Sequence, residues 1–356
     1  MRSITPIIAI VILLLVTISA VTPLYLWVQK GVQKYSQKAT KTADTTFKSI
    51  TNLEIADIKI YKKYDGALAL WYLDEGFGNI VDDYSNNNYK LKFEGSPRWV
   101  KGVLSNALEF NGNSSLKGNY QLLVGKTKWS ITLITKPYSL ANYTYAEGTT
   151  DGDKIVLEIA NNKFRIAISN NSVGWQRLSS SLPLSKNEWY FVAVTYDGDN
   201  LKICVNNVCN STSGIKSATT GGGTVKIANG VYANYPYKGV IDEIYLYNEP
   251  LDNKTIENLY YRLTVRVVNP NDRPIKIEGY YQIEDPETGN IICEIPLKYK
   301  ETFITDSGSD LIKPSKEETI RMVLFYKDKH CSLNKWKTYN FCLTNGINRV
   351  CKLFHP

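Results

Sequence analysis

A chain of 356 residues with 43% hydrophobic and 12% aromatic side chains is too apolar to stay disordered and long enough for two or three domains. The net charge of +8 does not read as a nucleic-acid surface, because Lys30, Lys34, Lys38 and Lys41 follow the first apolar run as a solvated neck beside a membrane. Neither C-x-x-C nor a Cys/His zinc spacing occurs, which excludes the common zinc modules.

No charged residue stands between Arg2 and Lys30, so residues 4–28 are long enough to cross roughly 30 Å of hydrocarbon as a helix. The run is too long for the core of a cleaved signal, and no A-x-A-like site follows it, so a retained helix is expected. Val28, Val32, Tyr35, Ala39, Ala43, Phe47 and Ile50 then recur at three- and four-residue steps, one apolar stripe on a continuing amphipathic helix. Residues 1–50 resemble the N-terminus of archaeal type IV pilins, in which a short leader precedes a run like Ile4-Thr5-Pro6-Ile7-Ile8-Ala9-Ile10. Here the leader is Met1-Arg2-Ser3, with Ser3 where Gly or Ala is usual. The resemblance implies packing against other pilin-like subunits; a plain membrane anchor is the alternative.

From about residue 67 to 261 short apolar-alternating stretches are separated by Asn-, Gly- and Ser-rich turns, the pattern of an all-β unit. Its ends carry Trp71-Tyr72-Leu73-Asp74-Glu75-Gly76 and Gly239-Val240-Ile241-Asp242-Glu243-Ile244-Tyr245-Leu246-Tyr247. Between them stand Asp83-Tyr84-Ser85-Asn86, then a block from Trp99 to Gly112, then Trp189-Tyr190-Phe191-Val192-Ala193-Val194-Thr195-Tyr196-Asp197-Gly198, followed by Leu201-Lys202-Ile203-Cys204-Val205-Asn206-Asn207. In this order they resemble the laminin-G-like, concanavalin-A-like jelly roll. The resemblance implies a sandwich that recognises ligands, sugars first. It also implies a Ca²⁺ site, for which Asp83 and Asp242 are the candidates.

Sugar binding needs flat aromatic faces beside polar groups. Tyr143 and Tyr145, Tyr232, Tyr235 and Tyr237, and Trp175 in its Asn-rich loop fit that need, whereas Trp71, Trp99, Trp129 and Trp189 fit strand positions in the core. Paired carboxylates at alternate positions of one strand, the mark of related glycosidases, are missing from Lys154–Ala160 and from the stretch Trp189 to Tyr196. His330 and His355 are the sole histidines, with no triad motif around either. The expectation is therefore a protein that is not an enzyme.

Six cysteines, an even number, suggest three disulfides and an oxidising exterior. Cys204 and Cys209 flank Val-Asn-Asn-Val, a hairpin spacing; the pairing among Cys293, Cys331, Cys342 and Cys351 stays open. Sequons stand at Asn113, Asn142, Asn170, Asn210 and Asn253. The lysines after the apolar run would hold the bulk of the chain in the cytoplasm, but cysteines, sequons and a lectin-like module argue for the outside, and the outside is preferred.

Residues 262–356 alternate strands and turns as a second, smaller β domain, Ig-like or resembling a pilin head. A strand within residues 51–62 is expected to belong to it, which would make the jelly roll an insert; three domains in a row are the alternative. The fold expected is mainly β: a transmembrane and amphipathic N-terminal helix, a jelly-roll sandwich and a small C-terminal β-sandwich. The function expected is that of a cell-surface protein, anchored in the membrane or borne on a filament, that binds glycans or surface proteins. A structural component of a pilus or surface layer is the alternative, and a glycan hydrolase stands behind both.

Overall fold

The computed structural model describes residues 53–148, 154–219, 223–231, 234–344 and 349–356. The apolar run at residues 4–28 and the stripe that follows it lie outside these residues. Among those described, no helix is long and apolar enough to cross a membrane.

The strand Glu54–Ile60 pairs antiparallel with Leu263–Asn269, placing Ile55 opposite Val267 and Ile58 opposite Val265. All the strands from Ala67–Trp71 to Lys238–Tyr247 therefore lie between two neighbours of one sheet. Lys316–Met322 and Phe303–Thr305 complete that sheet, and Ile291–Pro296, Tyr280–Glu284, Tyr339–Thr344 and Arg349–Phe354 form a second of four strands. Ile55, Val265, Val267, Tyr281, Ile283, Ile320 and Phe341 share the core of this small sandwich.

The inserted unit is a larger sandwich of two eight-stranded sheets. Its front sheet runs Gly174–Ser179, Lys163–Asn170, Lys154–Ala160, Asn142–Gly148, Thr224–Ile227, Ser115–Gly118, Leu91–Glu94, Ile80–Val81. Its back sheet runs Val208–Thr212, Leu201–Val205, Tyr190–Tyr196, Trp129–Pro137, Lys238–Tyr247, Asn106–Asn111, Arg98–Lys101, with Ala67–Trp71 beside Lys238–Tyr247. Ile155, Leu157 and Ile159 alternate inward and meet Ile131, Leu133, Val192 and Val194 from the back sheet.

The back sheet is covered on both sides. Ile134, Phe191, Ala193, Val240 and Tyr245 point away from the jelly-roll core and join the core of the C-terminal sandwich. Ile256, Leu259 and Tyr260 of the helix Asn253–Tyr260 pack with them. That double cover is why every residue of Tyr190–Tyr196 is buried, and why its sequence is a continuous apolar run. The helix begins at Asp252, whose carboxylate accepts the Thr255 N–H at 2.6 Å.

Two tight turns use asparagine where the backbone turns left-handed. Asn161 and Asn162 (φ 53° and 57°) join Lys154–Ala160 to Lys163–Asn170, and Asn206 and Asn207 (47° and 65°) join Leu201–Val205 to Val208–Thr212. Cys204 and Cys209 face each other across the second turn and are bonded. Cys342 bonds Cys351 across another ladder pair, and Cys293 bonds Cys331, which leaves no free thiol. At the junction of the two sandwiches Glu243 pairs with Arg262, their side chains 5% and 4% exposed.

Candidate functional site

Because the back sheet is occupied, the outer face of the front sheet is, among the described residues, the broad surface the jelly roll leaves open. A cavity of about 630 Å³ lies on it, over Asn142–Gly148, Lys154–Ala160, Lys163–Asn170 and Gly174–Ser179. Residues that alternate outward build it. Ala146, Val156 and Ala167 make a floor of small side chains. Tyr143 and Tyr235 stack face to face on one side, ring centroids 4.6 Å apart and planes at 25°. Trp175 stands at the other side, 42% exposed, with the Arg177 guanidinium over its ring at 5.2 Å. Between the aromatic walls Glu158 accepts from Nε of Arg165 at 2.7 Å.

The walls are held from behind. Asn142, in the left-handed region at φ 85°, donates its amide to the Pro236 carbonyl (2.7 Å), and Asn229 Oδ1 accepts the Tyr235 N–H (2.9 Å). The Trp175 strand lies at the sheet edge, so Gln176 clamps it by exchanging two hydrogen bonds of 2.8 Å with the Lys216 backbone. Asn170 adds a third tie, from its amide to the Ser217 carbonyl at 2.7 Å. Burial raises the Tyr143 hydroxyl pKa and the Glu158 charge adds to this, against the opposing pull of Arg165 and Arg177. Tyr143 is thus a neutral hydroxyl, able to donate to a ligand.

Of the aromatic residues expected at a sugar site, Tyr143, Tyr235 and Trp175 come together here. Tyr232 lies outside the described residues. Tyr145 and Tyr237 need correction. Both are fully buried: the Tyr145 hydroxyl donates to Glu147 Oε2 at 2.6 Å, and that of Tyr237 shares a 2.6 Å hydrogen bond with Thr135. Neither can stack on a ligand. No motif marks Glu158, Arg165, Arg177 or the floor of small residues in the sequence, although Trp175 and Arg177 stand two apart on one strand and must share a face.

The two carboxylates expected to hold Ca²⁺ have other employment. Asp83 accepts the backbone N–H groups of Leu70, Ser85 and Tyr89 and the Ser85 hydroxyl, at 2.7–2.9 Å, which makes it the cap of a turn. Asp242 is buried, with Oδ2 accepting the Val103 N–H at 2.8 Å and Oδ1 without a hydrogen-bond partner. Burial pushes its pKa well up, and the nearby charges of Glu243 and Asp74 push the same way, which favours the neutral acid. Among the described residues no three His, Cys, Asp or Glu gather in a metal-binding group.

Two of the sequon asparagines have their amides engaged within the fold. Asn170 is 8% exposed and its amide is engaged with Ser217; Asn142 is half-buried with its amide on Pro236. A glycan on either would have to break those bonds. Asn113, Asn210 and Asn253 are exposed, with the Asn210 amide donating to the Ser179 carbonyl at 3.0 Å.

Residues 109–257 match the family model Laminin_G_3, described as the concanavalin A-like lectin/glucanases superfamily. The chain carries a concanavalin-A-like lectin/glucanase domain. Among solved structures it is similar to domain 4 of a GH43 extracellular arabinanase from Geobacillus stearothermophilus, in complex with arabinotriose. The TM-score is 0.49 at 18% identity, over 55% of this chain and 99% of that one. It is also similar to the SAP-like pentraxin of Limulus polyphemus (TM-score 0.37, 15% identity, 43% of this chain and 81% of that one). A third is the receptor binding domain of a botulinum neurotoxin C/D mosaic serotype (TM-score 0.46, 13% identity, 81% and 73%). No curated protein matches the chain. The match corrects the expectation that the protein is not an enzyme: the superfamily of this lectin/glucanase domain is named for glucanases as well as lectins.

Proposed function

We propose that the protein is an extracellular recognition protein whose lectin/glucanase domain holds a glycan in the aromatic cavity of its front sheet. One observation carries the reading: Trp175 and the Tyr143–Tyr235 stack flank a flat floor of Ala146, Val156 and Ala167. Pyranose rings present flat CH faces to aromatic rings, and their hydroxyls need partners such as Tyr143, Glu158 and Arg165. Three disulfides support an oxidising location. In this proposal residues 4–28 anchor the protein, the stripe at residues 28–50 packs it with like subunits, and Asn113 and Asn253 carry the glycans.

The test is binding of the full-length protein, in detergent micelles, to an oligosaccharide array, repeated with Trp175→Ala and Tyr235→Ala. One aromatic face contributes ~1.5 kcal/mol, so each variant should bind about tenfold more weakly. Thermal midpoints should hold, because Trp175 and Tyr235 are 42% and 44% exposed. Undiminished binding by the double variant would place the ligand elsewhere.

A further inference from the structure

The polar equipment of the cavity is unbalanced. Glu158, Arg165 and Arg177 are the charged side chains whose fields reach Tyr143 in the cavity. Glu158 is occupied by Arg165. Glu147, at the cavity edge, turns its carboxylate the other way, accepting the backbone N–H groups of Leu122, Leu123 and Val124 at 2.7–2.9 Å. Arg177 has no carboxylate partner among the described residues. Its guanidinium carbon stands 5.2 Å from the centre of the Trp175 ring, a contact that leaves its charge unneutralised.

Register places this cation where a ligand would meet it. Arg177 pairs with Ala167 of the floor, and Arg165 pairs with Ser179, so the two arginines stand at diagonal positions of adjacent strands, roughly 7–8 Å apart. A guanidinium offers a planar fork of N–H donors that fits the two oxygens of a carboxylate. A neutral sugar would leave that fork unused. We infer that the cavity takes an acidic glycan, with a sugar carboxylate docked on Arg177 and the sugar ring resting on Trp175 and the small-residue floor. This rests on the glycan reading above and adds the chemical class of the ligand.

The inference is tested with the full-length protein and an array of tetragalacturonate, a hyaluronan tetrasaccharide and sialyllactose. Each is printed beside its carboxyl methyl ester and beside neutral oligosaccharides. The ester keeps the sugar and removes the charge. At least one acid should bind tenfold or more tightly than its ester, with the margin shrinking as salt rises. Arg177→Gln should erase that margin, whereas Trp175→Ala should weaken both forms. Equal binding of acid and ester, lost in Trp175→Ala, would overturn the acidic-glycan inference and leave the glycan reading standing. If no oligosaccharide on the array binds in a Trp175-dependent way, both fall.

Discussion

Replacing Glu243 by Gln tests whether a buried ion pair fastens the two sandwiches. Glu243 lies on Lys238–Tyr247, in the back sheet of the jelly roll, and Arg262 immediately precedes the first strand of the C-terminal sandwich after the insert. Arg262 is 3% exposed and also donates Nε to the Leu259 carbonyl at 3.1 Å. Neutralising Glu243 therefore leaves a guanidinium stranded away from water. Removal of one partner from such a pair costs about 3–5 kcal/mol. The lower end is expected here, because the Leu259 carbonyl still accepts from Arg262 Nε. Equilibrium guanidinium unfolding should thus lower the midpoint of Glu243→Gln by the equivalent of about 3 kcal/mol, with unchanged slope. The double replacement Glu243→Leu with Arg262→Leu removes both charges and should return to within about 1–2 kcal/mol of the native protein. A loss below ~1 kcal/mol for Glu243→Gln would refute the claim that the pair fastens the junction.

The three disulfides should rank by the chain they close. With separations of 38, 9 and 5 residues, replacement of Cys293–Cys331, Cys342–Cys351 and Cys204–Cys209 by alanine should cost about 4, 2.6 and 2 kcal/mol by urea unfolding, and any other order counts against loop closure as the cause. His330 packs on Trp189 (5.1 Å), and burial, helped by the Lys136 charge and opposed by a backbone hydrogen bond at Asp328, pushes its pKa down to about 4. Unfolded, it takes a proton near its usual 6.5, so its contribution to stability is complete above that pH and drains away as pH falls toward 4. The thermal midpoint should drop more steeply between pH 6.5 and 4 than that of His330→Phe, and equal slopes would disprove the linkage. Asp74, raised to about 7 by burial and by Glu243, acts in the opposite sense: its contribution is complete below 3.8 and is lost as pH rises toward 7, so Asp74→Asn should flatten stability across that window.

The jelly-roll blocks were legible because its back sheet is covered on both faces. Continuous apolar runs such as Tyr190–Tyr196 stand out from any background. The cavity was half legible. Tyr143 and Tyr145 are two apart, and on a regular strand both would face the same way. The pairing slips between Leu157 and Glu158, which puts Tyr145 opposite Leu157 and Tyr143 opposite Glu158. That one extra residue turns Tyr145 into the core and leaves Tyr143 on the cavity. Nothing local marks the slip, since Thr144 meets its hydroxyl's need on the Leu157 carbonyl at 3.0 Å, a partner on another strand. Asp83 is ambiguous for a related reason. A carboxylate among Asn and Ser suits a cation or a turn equally well, and only the positions of the Leu70, Ser85 and Tyr89 amides decide.

The ladder between Glu54–Ile60 and Leu263–Asn269 has a mechanical consequence. Load entering the chain at residue 53 first meets a strand stitched into the C-terminal sandwich, and the jelly roll begins only beyond that stitching. While those rungs hold, a pull on the leading end and a pull on the trailing end are both borne by the smaller sandwich. The cavity then keeps its shape under drag that would otherwise shear it.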